Sequence, residues 1–133
     1  MFGGKSKSAV KQVNQIDSLV GGNSKIRGDI HFSGGLHVDG EIKGNVVAEL
    51  EGSTLTTSEN GRIEGDVRVH NIILNGKVIG DVYSTSHIEL APNARVTGNV
   101  YYSIIEMAMG AEVNGNLIHM DETHQLEDEL KTA

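Results

Sequence analysis

The chain has 133 residues, a formal net charge of −7 and no cysteine, and its aromatic residues amount to only 4%. That length corresponds to a single domain with tails, and so few aromatic side chains do not favour a thick layered core. The lack of cysteine excludes disulfides and thiolate metal sites. No apolar run approaches the roughly 18 residues that a membrane span needs.

The charge is unevenly distributed along the chain. Residues 1–27 carry a net charge of +4, residues 28–120 a net charge of −7 and residues 121–133 a net charge of −4. Nucleic-acid binding needs clustered Lys and Arg to neutralise phosphates, whereas the basic residues of the central region are scattered. We therefore expect no nucleic-acid partner.

Residues 1–16 predict a flexible, basic N-terminal arm. They begin Met1-Phe2-Gly3-Gly4-Lys5-Ser6-Lys7 and lack the apolar core of a signal peptide, which predicts a cytoplasmic protein. Glycine is the third residue rather than the second, so N-myristoylation is not expected.

A five-residue motif, apolar-x-Gly-Asp/Asn-apolar, recurs six times after the arm. Its third copy reads Ile63-Glu64-Gly65-Asp66-Val67. The glycines of the six copies are Gly28, Gly44, Gly65, Gly80, Gly98 and Gly115, spaced 16, 21, 15, 18 and 17 residues apart. An internal repeat of this kind decides the architecture of a chain.

The repeat predicts short parallel strands. Apolar residues occupy every second position within a copy, which is the period of a strand, and turn-forming pairs such as Asp39-Gly40 separate the copies. Those pairs also favour hairpins, but a meander needs no fixed length per turn. Three strands and three corners per 17 residues match one coil of a β-solenoid. We predict an all-β, three-sided parallel β-helix of about six coils over residues 17–120.

The repeated Gly-Asp/Asn pair is interpreted as structural. The first, third and fifth residues of each motif are expected to point inward, where a narrow coil leaves room only for the hydrogen atom of glycine. The Asp or Asn is expected to point outward and to hydrogen-bond local backbone at the corner. Lys43 and Glu64 should lie on neighbouring coils as an attractive pair.

The ends of the solenoid are the predicted sites of self-association. An open end exposes unpaired strand edges and core residues, which a polar cap or a helix usually covers, and neither end of this sequence shows a cap. Stacking on another molecule would cover both ends; residues 17–25 folding back as a cap in a small oligomer is the competing arrangement. The predicted contact residues are Ile26, Ile30, Phe32 and Leu36 in the first coil and Ile105, Met107, Val113 and Leu117 in the last.

No group of residues predicts catalysis, a cofactor or a metal site. The six histidines lack the close spacing of metal ligands, and the segment Val20-Gly21-Gly22-Asn23-Ser24-Lys25 lacks the Gly-Lys-Ser order of a nucleotide-binding loop. No nucleophile lies beside a base in a recognisable spacing. Residues 121–133 are interpreted as an acidic, disordered tail.

The repeated motif, together with His37-Val38-Asp39-Gly40-Glu41-Ile42-Lys43-Gly44, resembles the bactofilins, a family of bacterial polymer-forming cytoskeletal proteins. The resemblance extends from about Ile16 to Met120. It implies a right-handed β-helix that polymerises end to end, without nucleotide, into filaments that lack polarity. It also implies a scaffold for cell shape, appendages or the cell-wall machinery, with itself, cell-wall enzymes or a paralogue as partners.

The resemblance also suggests a role for the arm. Some bactofilins start with a similar Met-Phe followed by lysines and use it to bind the inner membrane, which implies that Met1, Phe2, Lys5 and Lys7 attach this chain peripherally to the inner membrane. Periodicity alone does not separate this fold from the left-handed hexapeptide helices of soluble, trimeric transferases or carrier modules. Such a module is the alternative function, although the apolar positions here do not keep a six-residue step.

Overall fold

A computed structural model describes residues 17–121, which form sixteen short strands and no helix. The strands are β1 (Ser18–Val20), β2 (Lys25–Arg27), β3 (Ile30–Phe32), β4 (Gly35–Val38), β5 (Glu41–Lys43), β6 (Val46–Ala48), β7 (Thr54–Thr57), β8 (Arg62–Glu64), β9 (Val67–Arg68), β10 (Asn71–Leu74), β11 (Lys77–Ile79), β12 (Val82–Leu90), β13 (Arg95–Thr97), β14 (Val100–Met107), β15 (Glu112–Asn114) and β16 (Leu117–His119).

The strands stack into three parallel faces. Face 1 contains β1, β4, β7, β10 and the second halves of β12 and β14, and face 2 contains β2, β5, β8, β11, β13 and β15. Face 3 contains β3, β6, β9, the first halves of β12 and β14, and β16. The two long strands turn the corner from face 3 to face 1 with a register shift between Ser84 and His87.

One pass over the three faces makes a coil, and the described residues form six. We number them coil 1 (residues 17–34), coil 2 (35–53), coil 3 (54–70), coil 4 (71–86), coil 5 (87–103) and coil 6 (104–121). All pairings between coils are parallel. The prediction of an all-β solenoid of about six coils is therefore confirmed, and the hairpin arrangement is excluded for these residues.

The core consists of columns of apolar side chains that run along the rod. One column on face 2 contains Ile26, Ile42, Ile63, Val78, Val96 and Val113. Its four inner members are at most 1% exposed, whereas the members in coils 1 and 6 are only partly buried. Similar side chains pack well in such columns because every coil places the equivalent residue at the same position around the axis of the rod, directly above the one before it.

Contacts between coils require five of the six repeat glycines, from Gly44 to Gly115. A Cβ atom built on Gly65 would overlap the carbonyl oxygen of Gly44 in the coil before it, and the same holds for Gly80 against Gly65. The predicted reason, a lack of room in the interior, is wrong. The close approach runs along the axis of the rod, because neighbouring backbones are held about 4.8 Å apart.

Four predictions lie outside these observations. Residues 1–16 and 122–133 are not among the described residues, so the basic arm, the acidic tail and the division of the chain into 1–16, 17–120 and 121–133 stay predictions. The right-handed sense of the helix also stays an implication of the resemblance. Within residues 17–121 there is no helix long and apolar enough to cross a membrane.

Candidate assembly surfaces

The C-terminal end of the described rod exposes apolar side chains. Met107 and Leu117, which end two core columns, are 46% and 45% exposed, and Met109 at the adjacent corner is 91% exposed. Ile105 and Val113 are partly buried against the core. The structure thus brings the four predicted residues of the last coil together in coil 6, where no further coil of residues 17–121 covers them.

The N-terminal end is better covered. Ile26, Ile30 and Phe32 lie in coil 1 and are partly buried against the core. The placement of Leu36 in the first coil is wrong, because Leu36 belongs to β4 in coil 2, pairs with Ser18 and is only 3% exposed. Coil 1 therefore shields Leu36 from a contact at this end.

A ladder of side-chain hydrogen bonds joins the coils along one corner. The Asp66 backbone N–H donates to Asn45 Oδ1 at 2.8 Å, and the Asp81 N–H donates to Asp66 Oδ1 at 3.0 Å. The same bond links the other members of the column, from Asp29 to Asn45 and from Asp81 through Asn99 to Asn116. The expected bond to local backbone is thus replaced by a bond to the next coil, because the corners stack in register.

The ladder is open at both ends of the described rod. In residues 17–121 the Asp29 N–H has no coil below it to supply an acceptor, and Asn116 Oδ1 has no coil above it to supply a donor. The outer strand edges of coils 1 and 6 likewise face no further coil within residues 17–121. These groups lose hydrogen bonds unless water, residues outside that range or another molecule provides them.

The outer surface of face 2 carries oppositely charged pairs in coils 2 and 3. The Arg62 Nε lies 2.9 Å from a Glu64 carboxylate oxygen and 3.7 Å from one of Glu41. The hydrogen bond from Arg62 lowers the pKa of the Glu64 carboxyl, and the charges of Arg62, Lys43 and Lys77 act in the same direction. Lys43 lies directly opposite Glu64, as predicted. Each such exposed pair stabilises the fold only slightly, and the same register places Lys77 opposite Arg62 and Arg95, which carry the same charge.

Face 3 carries an aromatic column that the sequence reasoning missed. The Tyr83 and Tyr101 rings stack with centroids 4.5 Å apart, and the Arg68 guanidinium lies 3.9 Å from the Tyr83 centroid. Burial raises the pKa of the Tyr83 hydroxyl, and Arg68 partly opposes this. The sequence signal for this column was that Tyr83 and Tyr101 occupy equivalent positions in successive coils. Their ring faces contact each other between coils 4 and 5, so the column stabilises the stacking of these coils.

Two further predictions concern chemistry and membranes. In the described part of the chain, no three His, Asp or Glu side chains lie close enough together to hold a metal ion. Met1, Phe2, Lys5 and Lys7 lie outside that part, so their membrane role stays a prediction.

Comparisons with known proteins agree with this architecture. The family model for bactofilins, described as polymer-forming cytoskeletal proteins, matches residues 18–118. The chain is similar to Bactofilin BacO of Myxococcus xanthus (strain DK1622), with 27% identity over 101 residues that cover 76% of this chain and 78% of the relative. It is also similar to Bactofilin BacP of the same organism, with 26% identity over 104 residues.

That second match covers 78% of this chain but only 42% of Bactofilin BacP. No solved structure matches the chain. The family model covers three quarters of the sequence and coincides with the six stacked coils. The chain therefore belongs to the bactofilin family of polymer-forming cytoskeletal proteins.

Proposed function

We propose that this protein assembles end to end, through coils 1 and 6, into filaments that form without nucleotide and act as a structural scaffold. Membership of the bactofilin family favours this function over a hexapeptide-type transferase. The observation that carries the proposal is the open end of coil 6, where Met107 and Leu117 end core columns and remain nearly half exposed. A structural protein of this kind needs no catalytic group, cofactor or nucleotide.

Stacking two ends would cover the apolar side chains and the strand edges of both molecules. Apolar side chains of the terminal coils would be removed from water, which stabilises association by about 25 cal/mol per Å² of apolar surface. The open strand edges would gain hydrogen-bond partners. The resemblance to bactofilins supports contacts between like ends, and such two-fold contacts produce filaments without polarity.

Electron microscopy of the purified protein without nucleotide tests the proposal. We expect filaments from the unchanged chain, and short or absent filaments from Leu117→Arg, because an unpaired charge in a terminal contact is strongly unfavourable. Ile73→Arg is the matched control, since Ile73 is 39% exposed on the outer surface of face 1 in coil 4, away from both ends. Normal filaments from Leu117→Arg would place the contact elsewhere.

We further propose that the arm holds the filament at the cytoplasmic face of the inner membrane. Burying one Phe contributes about 2–3 kcal/mol, and each Lys near anionic lipid adds about 1 kcal/mol. A total of about 4–5 kcal/mol corresponds to a dissociation constant near the millimolar range, too weak for a single copy. A filament that presents many arms binds through avidity.

Co-sedimentation with anionic liposomes tests this attachment. Phe2→Ala, or deletion of residues 1–8, should release the polymer from lipid and leave filament formation unchanged. Leu117→Arg, which keeps the arm, should bind poorly because avidity is lost. Equal co-sedimentation of the arm-deleted and unchanged proteins would refute the role of Met1, Phe2, Lys5 and Lys7.

The cellular role proposed for this scaffold is to organise cell shape, appendages or the cell-wall machinery. Cell-wall enzymes or a paralogue are the further partners proposed for it.

A further inference from the structure

The basic residues that lie scattered along the sequence converge on one face of the rod. Residues 17–121 contain seven Lys and Arg and fourteen Asp and Glu side chains. The seventh basic residue, Arg68, lies on face 3. The other six occupy outward positions of face 2 and are Lys25, Arg27, Lys43, Arg62, Lys77 and Arg95. Face 2 is therefore the basic side of an otherwise acidic rod.

The three acidic residues of face 2 are held by arginines of the same face. Arg62 Nε lies 2.9 Å from a Glu64 carboxylate oxygen and 3.7 Å from one of Glu41. Arg95 Nε lies 3.6 Å from a Glu112 carboxylate oxygen. Within residues 17–121 these ion pairs leave four exposed basic side chains of the face unused, namely Lys25, Arg27, Lys43 and Lys77.

The acidic side chains at the two edges of face 2 are engaged in hydrogen bonds within the rod. Asp29, Asp66 and Asp81 at one edge accept backbone N–H groups of the next coil. Asp39 and Glu59 at the other edge accept side-chain N–H groups at 2.9 and 3.4 Å. A lysine side chain extends further from the backbone on its four-carbon stem. A plane laid on face 2 therefore meets the ammonium and guanidinium groups first.

The column of Lys77 shows where a negative partner is missing. Lys77 lies directly opposite Arg62 and Arg95 of the neighbouring coils. Like charges in this position destabilise a sheet, and a negative surface against the column would relieve the repulsion. The face has six strands of three residues each, and strands spaced about 4.8 Å apart make it about 24 Å long. Its flat, narrow shape fits a planar partner.

We propose that face 2 is the side of the rod that rests on an anionic lipid surface. The proposal rests on the proposed membrane scaffold and adds an orientation to it. A bilayer is planar, and its anionic headgroups attract basic side chains held close to them. Faces 1 and 3 then point away from the lipid, and a Debye length of about 8 Å screens their acidic groups. Duplex nucleic acid carries fixed phosphates on a curved surface and fits this flat face less well.

The arm and face 2 can contact the same lipid surface. The arm joins the rod at Asp17, whose N–H donates to the Gly35 carbonyl beside the corner between faces 3 and 1. That corner lies opposite face 2. Residues 1–16 reach about 50 Å when extended, whereas half of a 17-residue coil measures about 28 Å. Face 2 contributes through charge, so its share of the binding should disappear as salt is raised.

Single labelled cysteines test the orientation, because the chain has no cysteine of its own. Thr97→Cys lies on the outer surface of face 2, and Thr56→Cys lies on that of face 1. The full-length polymer is bound to phosphatidylglycerol vesicles that carry nitroxide headgroups. The label at Thr97 should be quenched at least about twofold more, since Thr56 lies about 10 Å further from the lipid, the distance between packed sheets. Equal quenching, or stronger quenching at Thr56, would overturn the orientation.

Charge variants test the contact itself. Lys43→Gln/Lys77→Gln removes two charges from face 2, and Thr56→Glu/Arg68→Gln makes the same change in net charge on faces 1 and 3. Circular dichroism checks that both variants fold. In co-sedimentation with phosphatidylglycerol vesicles at low ionic strength, the face 2 variant should bind at least about tenfold more weakly than the control, because each lysine contributes about fivefold. Equal binding of the two variants would overturn the inference.

The outcomes for face 2 and for the arm are distinguishable. Lipid binding that deletion of residues 1–8 weakens and the face 2 variant leaves unchanged would overturn this inference and uphold the proposed arm. Binding that only the face 2 variant weakens would uphold the inference and refute the arm. If the face 2 variant keeps its lipid binding but loses binding to duplex DNA or to an acidic protein, that partner occupies face 2 and the inference is overturned.

Discussion

Replacing Gly65 by Ala should destabilise the solenoid much more than the same change at Gly28. Both glycines belong to the repeat and both have a positive φ, 154° at Gly65 and 129° at Gly28. A Cβ at Gly28 meets nothing within 4 Å, because Gly28 lies in coil 1. A Cβ at Gly65 overlaps the carbonyl of Gly44 in the coil before it. The pair therefore separates backbone strain from the contact between coils.

The magnitudes follow from these differences. The unfavourable φ costs about 1–3 kcal/mol at either position. Relieving the overlap at Gly65 requires coils 2 and 3 to separate, which weakens the hydrogen bonds from Gly44 N–H to the Glu64 carbonyl and from Val46 N–H to the Asp66 carbonyl, both 2.9 Å long. Each contributes about 1 kcal/mol, and residual overpacking adds about 1–3 kcal/mol. Gly65→Ala should thus lose about 3–5 kcal/mol more than Gly28→Ala if both hydrogen bonds are lost.

Urea unfolding followed by circular dichroism measures the difference. The Leu117→Arg background is suited to this because assembly otherwise adds to the free energy of unfolding. Equal losses for Gly28→Ala and Gly65→Ala would refute the reasoning, since strain at φ would then explain both. A larger loss for Gly28→Ala would mean that the stacking of coils 2 and 3 differs from the one described.

The remaining predictions concern hydrogen bonds, acid and salt. Asp66→Ala removes the oxygen that accepts the Asp81 N–H and should lower the unfolding free energy by about 1–2 kcal/mol; Asp66→Asn keeps that oxygen and should change it far less in the same urea assay. Hydrogen bonding to Ser58, and more weakly to His37, lowers the pKa of Asp39 from its ordinary value of 3.8. The ionised Asp39 carboxylate should therefore stabilise the fold above pH 3.8, and this contribution should disappear as the pH falls through the lowered pKa. The melting temperatures of Asp39→Asn and the unchanged protein should thus converge in acid. Added salt should strengthen a contact between two acidic copies of coil 6 by screening; a coil 6 dimer that weakens in salt, as measured by sedimentation, would contradict contact between like ends.

The order of the coils could be predicted from the sequence because each copy repeats the same local pattern. Alternating side chains in a motif such as Ile42-Lys43-Gly44-Asn45-Val46 specify which residues face inward. A nearly constant spacing then requires equivalent residues to stack. This is why the pairing of Lys43 with Glu64, and the number of coils, followed from the sequence.

The tertiary structure alone decided what neighbouring coils do to each other. The clash that requires Gly65 and the bond from the Asp81 N–H to Asp66 join residues at least 15 positions apart, and their geometry depends on how closely the coils approach. The sequence also placed Leu36 one coil too early, because it does not mark which strand is the first to pair. The exposure of Leu117, in the same column as the buried Val82 and Val100, has the same cause: equivalent residues differ in whether a coil packs on both sides of them.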